Sequence, residues 1–422
     1  MLRPVFWNVE LTTAETFMNL SCLFKALVLP LALAATAIAV PAQTPKPLRI
    51  GVLTDMAGMT MDIVGPGSVI AAKMAAEDFG GKVGARSIEI LVGDHQNKPD
   101  VGAVLARKWF DTEGVDVIVD LPNSSVALAV QEVTRNANRV VLHTAGASPA
   151  LTGKSCSPNS IQWSRDSYGL AQSIGSAVVK AGGDTWYFVT ADYAFGYATE
   201  AAVGQVVTSS GGKILGSAKH PTGASDFSSF LLQAQASKAK VIGMANAGAD
   251  TILAMKQAAE FGIPGPGQRL VASYINISEI HAVGLKAAQG VQLVDTAYWD
   301  LTDDMRAWSR RFFERHRRMP TSLQADVYSA VTHYLKAVRT TDSSDGTAVV
   351  KAMKAMTING PVLKNARIRE DGRVVRDYYL FRVKSPEESK APWDYYKLEQ
   401  TIPGEQLVRP LSESECPLVR KT

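Results

Sequence analysis

LRIGVLTD at 48–55, GPGSVIAAKMAAEDFGG at 65–81 and SIEILVGD at 87–94 decide the fold. The first is a short apolar run that ends in a polar loop. The second has apolar residues at helical spacing and a Gly-Gly stop. The third is again an apolar run of strand length. Working outward, 100–111 reads as a helix, 115–122 (VDVIVDLP) as a buried strand, 124–136 as a helix that Asn123 or Ser124 can cap, and 139–146 (RVVLHTAG) as a strand. Strand–helix alternation of this kind implies right-handed crossovers and a parallel sheet. The pattern then repeats, with strands at 184–192, 211–218, 239–246 and 268–275 and helices at 196–210, 226–237 and 249–261. The fold class is therefore α/β, with two similar Rossmann-like lobes. An extended run at 291–300 and three helices at 303–318, 322–340 and 347–357 follow. ARIREDGRVVRDYYLFRV (366–383) reads as an antiparallel pair turning at Asp371-Gly372, and 392–404 as a last, partly extended aromatic segment.

The composition agrees with a folded α/β chain. Of 422 residues, 46% are hydrophobic and 20% charged, enough apolar material to build cores and far too much for a disordered chain. The length suits two or three domains. A net charge of +4, from 44 basic and 40 acidic residues, gives no electrostatic case for nucleic acid. The apolar stretch from Ala26 to Ala42 follows Lys25, is interrupted by Pro30 and Pro41, and ends in small residues. That order predicts a cleaved secretory signal over 1–42, with Met1 or Met18 as the start. The mature chain then begins at Gln43, outside the cytoplasm, and keeps Cys156 and Cys416. In an oxidising compartment these two can pair and tie the C-terminal tail to the middle of the chain; the alternative is two unpaired thiols.

Signatures of catalysis fail one by one. The six histidines never fall in a local HxxxH, and there is no CxxC, so no metal site is predicted. Ile70 and Leu270 stand where the last Gly of a dinucleotide fingerprint belongs, and Ser148 stands where a phosphate loop ending Gly153-Lys154-Ser155 needs its first Gly. No GxSxG elbow occurs. No catalytic residue and no cofactor is predicted. The basic segment RRFFERHRR (310–318) reads as an amphipathic helix with a solvated basic face, with a nucleic-acid or membrane patch as the alternative.

In open α/β sheets ligands bind beyond the carboxyl ends of the strands. Pro122-Asn123-Ser124-Ser125 and Ala145-Gly146-Ala147-Ser148 offer small residues, hydroxyls and backbone N–H groups at two such ends, a combination suited to a carboxylate. Asp192-Tyr193-Ala194-Phe195 and Asn246-Ala247-Gly248 stand at two more.

Taken in order, LRIGVLTD, GPGSVIAAKMAAED, LVGDHQNKPDVGAVLARKWF, NSSVALAV, TAGASPALTG, TADYAFGYATEAA and AEFGIPG resemble periplasmic substrate-binding proteins of the branched-chain amino acid type, which serve ABC importers. The resemblance covers about 48–405 and looks closest to the branch that takes up aromatic carboxylates. It implies a type I periplasmic binding protein: two α/β lobes joined by a three-strand hinge, lobe 1 at 47–165 plus 297–360 and lobe 2 at 166–296 plus 361–422. It further implies a monomer in the periplasm that hands its solute to ABC permease subunits in the inner membrane.

By the same resemblance Ser124, Ala145 and Ala147 hold the ligand carboxylate, with Ser148 or a backbone N–H replacing the hydroxyl that Ala147 lacks. Phe195 covers the ligand from lobe 2, with Tyr193 beside it. Amino-acid-binding members carry an acid after a later lobe-2 strand to pair with the ligand's ammonium. Here that region, VASYINIS (271–278), offers Ser273, Tyr274 and Asn276 and no acid before Glu279. A buried ammonium without a counter-charge is costly, so the expected solute is a carboxylate without an amino group. Tyr168, Tyr193, Phe195, Tyr274 and Tyr298 are the aromatics available to a ring. The alternatives are an amino acid or amide as the transported solute, or a ligand-sensing subunit of a regulatory system.

Overall fold

The computed structural model describes residues 45–263, 267–272 and 274–420; the predicted leader over 1–42, Pro266 and Ser273 lie outside them. Leu48–Thr54 is the hub of the first sheet. It pairs in parallel with Arg86–Asp94 on one side and Val117–Asp120 on the other, and Val140–His143 and Ser160–Gln162 extend the sheet. Lys82–Val83 adds a short antiparallel edge, which gives six strands. One side chain explains why this sheet tolerates glycine at its centre. Cβ atoms built at Gly51 and Gly93 would lie 2.4 Å and 2.8 Å from the buried Trp109 ring, which fills the space both leave. The helix Pro99–Asp111 carries that tryptophan inward.

The second sheet is Thr185–Ala191 flanked by Lys213–His220 and Val241–Ala245, with Arg269–Ala272 outermost, all parallel. A third, antiparallel sheet holds Gln292–Asp295, Tyr378–Val383 and Tyr396–Ile402. The chain passes three times between the two halves. It leaves the first sheet after Ser160–Gln162 and enters helix Ser167–Lys180. It returns after Gln292–Asp295 into helices Asp303–His316, Ser322–Thr341 and Gly346–Ala355, whose apolar faces share one core with Ile50, Val52 and Val119. It leaves again after Val374–Val375, and residues 362–374 still contribute Val362, Leu363, Ile368 and Val374 to that first core. The predicted antiparallel pair around Asp371-Gly372 is present, but only two residues long on each side, Arg367–Ile368 against Val374–Val375. Cys156 and Cys416 are disulfide-bonded, 260 residues apart, so the C-terminal tail ends against the first half.

The basic helix Asp303–His316 and the turn after it are tied down electrostatically. Arg311 binds Asp78, Arg315 binds Glu77 and Arg318 binds Asp62. Among the described residues no helix is long and apolar enough to cross a membrane. Among them, too, no group of three His, Cys, Asp or Glu could hold a metal.

Candidate functional site

Where the two halves meet, Ile63, Val64, Ala145, Ala147, Leu170, Phe195, Ala247, Tyr274 and Leu323 form one buried cluster, with Tyr193 at its edge. The cavity inside it measures about 10 Å³, the room of one water molecule. It is closed across its mouth. The Tyr274 hydroxyl donates to the Ala145 carbonyl (3.4 Å), and the Ala249 N–H donates to the Met59 carbonyl (2.8 Å). The rings stack inward: Phe195 meets Tyr274 edge-on at 5.2 Å and Tyr193 at 5.9 Å.

Strand ends set these residues in place. Asp120 and Leu121 both have positive φ, 90° and 66°, and turn the chain sharply into Pro122, which lines the cavity. Non-glycine residues held there store strain, which collects at functional sites. Next comes Asn123, whose side chain accepts from the Ser125 and Val126 N–H groups and starts the helix Ser124–Asn136. Ser124 is fully buried, and its Oγ has no partner among the described residues. In the following loop the carbonyls are occupied. Gly146 accepts from Gln162 and Ser164, Ser148 from Gln162, and Ala147 from the Ser167 N–H.

Five of the eight residues expected at the site line the cavity: Ala145, Ala147, Tyr193, Phe195 and Tyr274. Ser124 lies two residues beyond Pro122. Ser148 and Asn246 are drawn away from it. The Ser148 hydroxyl caps the short helix Pro149–Leu151, and the Asn246 side chain bonds His220 and Thr251 within its own half. Tyr298 is not a site aromatic either; its hydroxyl donates to the Trp393 carbonyl in the second core. Tyr168 faces Arg409 instead. Thr60, Ile63 and Leu323 also line the cavity and were not expected from the sequence, whereas Ala247 lies in the strand-end segment Asn246-Ala247-Gly248. A signal for two of them was available, because Thr60 and Ile63 follow the carboxyl end of the first strand.

Three charges stand around the cavity. Arg165 is fully buried with its guanidinium 4.4 Å over the Tyr274 ring, paired to Asp295 at 2.5 Å. Burial pushes the Asp120 carboxyl up to about 6, against a hydrogen bond from the Thr144 hydroxyl (3.4 Å). Burial also pushes Glu279 up to about 7, although it accepts from the Gly248 N–H (2.7 Å), the Asn276 N–H (2.7 Å) and the Asn276 Nδ2 (2.8 Å). An unfolded glutamate releases its proton near 4.5. Between those two values the folded chain holds the extra proton, so this group's stabilising effect is complete below 4.5 and is lost as pH rises through about 7. Urea midpoints measured from pH 5 to 8 are expected to fall more steeply for the natural chain than for Glu279→Gln, by at most about 1.4 kcal/mol per pH unit. Parallel curves would contradict the assignment.

Among the described residues, two α/β halves are crossed by three chain passages and enclose a cavity lined in part by aromatic residues. The family model for periplasmic binding proteins matches residues 47–390, and the chain belongs to that family. It is 46% identical to a periplasmic binding protein from Burkholderia mallei, over 89% of this chain and 99% of that one, with a TM-score of 0.86. It is 38% identical to a branched-chain amino acid ABC transporter periplasmic ligand-binding protein from Burkholderia xenovorans, over 88% and 100%, with a TM-score of 0.78. A solute-binding protein from Rhodopseudomonas palustris in complex with benzoate shares the fold, at 20% identity, 84% and 96% coverage and a TM-score of 0.76. No curated protein matches the chain.

Proposed function

We propose that this chain is the periplasmic receptor of an ABC importer and captures a small aromatic carboxylate between its two lobes. The lobes close about the passages at 163–167, 295–303 and 374–378. Ser124 Oγ and the backbone N–H groups of 146–148 receive the carboxylate. Tyr193, Phe195 and Tyr274 enclose the ring. The observation that carries this reading is the state of Glu279. Its two oxygens already accept from three protein donors, and burial favours its neutral form, so it offers a ligand ammonium at most one acceptor site and a weakened counter-charge. A cavity with the room of one water admits a ring only when the lobes part, so binding and hinge motion are linked. The closed, loaded form then docks on membrane permease subunits.

A second reading takes the Burkholderia xenovorans relative as its guide and makes the solute a branched-chain amino acid. Glu279 would then have to be charged and meet the ammonium through Oε1, which accepts only from the Gly248 N–H. A thermal-shift panel of benzoates, hydroxycinnamates, leucine-type amino acids and amides separates the two. An aromatic acid at 100 times its dissociation constant is expected to add about 2.7 kcal/mol of stability while leucine adds none. Phe195→Ala is expected to weaken that acid by about 1.5–3 kcal/mol, on the order of 10–100-fold. A response confined to leucine-type amino acids would overturn the aromatic reading.

A further inference from the structure

The two loops that touch across the cavity mouth are each organised by a carboxylate in its own half. On one side Asp55 accepts from the Gly58 N–H (2.6 Å), the Thr60 N–H (2.8 Å), the Thr60 hydroxyl (2.7 Å) and the Asn97 side chain (2.8 Å). Burial works against the charged form of Asp55, but these donors outweigh it and hold the carboxyl below its usual range. Residues 58–60 are thereby fixed as a tight turn that presents the Met59 carbonyl. On the other side Glu279 receives the Gly248 N–H, and Gly248 takes φ 65°, ψ −137° at the start of the helix Ala249–Glu260. The Ala249 N–H then points at Met59 and bonds its carbonyl at 2.8 Å. The approach is so close that a Cβ built on Gly248 would lie 2.1 Å from that oxygen. Thr60 and Ala247, neighbours of the two bonded groups, line the cavity itself.

We infer that these loops form a closure clasp, in which Asp55 and Glu279 preset the Met59 carbonyl and the Gly248–Ala249 backbone so that one main-chain hydrogen bond locks the lobes over the solute. The clasp deepens the receptor reading and rests on it for its purpose, but its geometry belongs to the closed chain whatever the solute is. Gly248 is required twice, for its positive φ and for the missing Cβ. Asp55 and Glu279 act as positioning residues. An N–H at helix position N1 has no partner inside its own helix, so using it across the cleft costs the helix nothing.

Two substitutions break the clasp by different means. Gly248→Ala puts a methyl group against the Met59 oxygen. Ala249→Pro removes the donor at a helix position where proline is well tolerated, so the helix survives. Small-angle scattering of the ligand-free full mature chain reads closure directly. The natural chain is expected to be the more compact, and both variants to show a larger radius of gyration with an unchanged far-ultraviolet circular dichroism spectrum. Because the bond is also made in the closed, loaded form, losing it is expected to weaken binding of a solute from the panel about tenfold in both variants. Equal radii for the natural chain and both variants would overturn the clasp, with or without a known solute. Unchanged affinity in both variants would overturn it while leaving the receptor reading intact. Larger radii with no solute bound by any form would keep the clasp and sink the receptor reading.

Discussion

Asp295→Ala is expected to lower the folding free energy by about 3–5 kcal/mol, read as a shift in the urea midpoint at pH 7. The reason is Arg165. Its side chain has no solvent exposure, and Asp295 has 3%. Besides the carboxylate it donates to the Ser322 hydroxyl (2.7 Å) and the Asn276 side-chain oxygen (2.8 Å). Its partners come from the second chain passage, the helices of the first half and the loop after the outermost strand of the second sheet. Removing the carboxylate leaves a guanidinium buried with neutral acceptors only, and a buried charge that has lost its counter-charge is among the costliest defects a core can carry. Removing both members tests the mechanism. Arg165→Met combined with Asp295→Leu is expected to recover a large part of the loss, since a pair replaced by apolar groups leaves no orphan. A second ion pair, Arg376 with Asp326, repeats the device at the third passage, where Arg376 also donates to the Thr296 carbonyl at 2.8 Å. An equally large loss in the double variant would show that the geometry of the passages, and not the unpaired charge, sets the cost.

Cutting the Cys156–Cys416 bridge by Cys416→Ser is expected to cost about 2–5 kcal/mol. The bond closes a loop of 260 residues, and long loops constrain the unfolded chain most in the chain-entropy account. Leu411 and Val419 pack with the two cysteines, so the tail docks by burial as well as by the bond. Two outcomes of limited proteolysis separate these contributions. If the bond is the main anchor, the serine variant is cut within 407–419 while the rest of the chain stays intact. If packing suffices, the tail resists cleavage and the loss of stability is small.

The sheets were legible because their strands are continuous apolar runs between turn residues, as at LRIGVLTD and VDVIVDLP. Ser160–Gln162 was not, since its three residues are mostly polar and its place on the sheet edge is fixed by pairing with Val140–His143, a contact remote in sequence. The helix Ser167–Lys180 escaped for a related reason: two glycines and three serines dilute its apolar spacing, and packing against the helix Ala194–Ser209 stabilises it. In the site, strand-end logic reached the residues whose backbone position alone puts them at the cleft: Ala145, Ala147, Tyr193 and Phe195. It could not show that nearby donors and acceptors capture the side chains of Ser148 and Asn246, which no spacing rule reveals. Glu279 lies just past the segment read for an ammonium partner. Its bonds with Asn276 are a local capping box, but only the fold brings Gly248 to its other oxygen. Nothing in the sequence around Gly248 marks its role, because Met59 stands opposite it only in the fold.

The account turns on whether the closed site takes a carboxylate and refuses an ammonium. Titration calorimetry with 3-phenylpropionate and with phenylalanine asks this with two solutes that share a ring, a chain and a carboxylate and differ only in the amino group. The account predicts saturable binding of 3-phenylpropionate and binding of phenylalanine weaker by at least about a hundredfold, the penalty for burying an ammonium without a free counter-charge. Phenylalanine bound as tightly as 3-phenylpropionate, or more tightly, would contradict it and make Glu279 the ammonium partner.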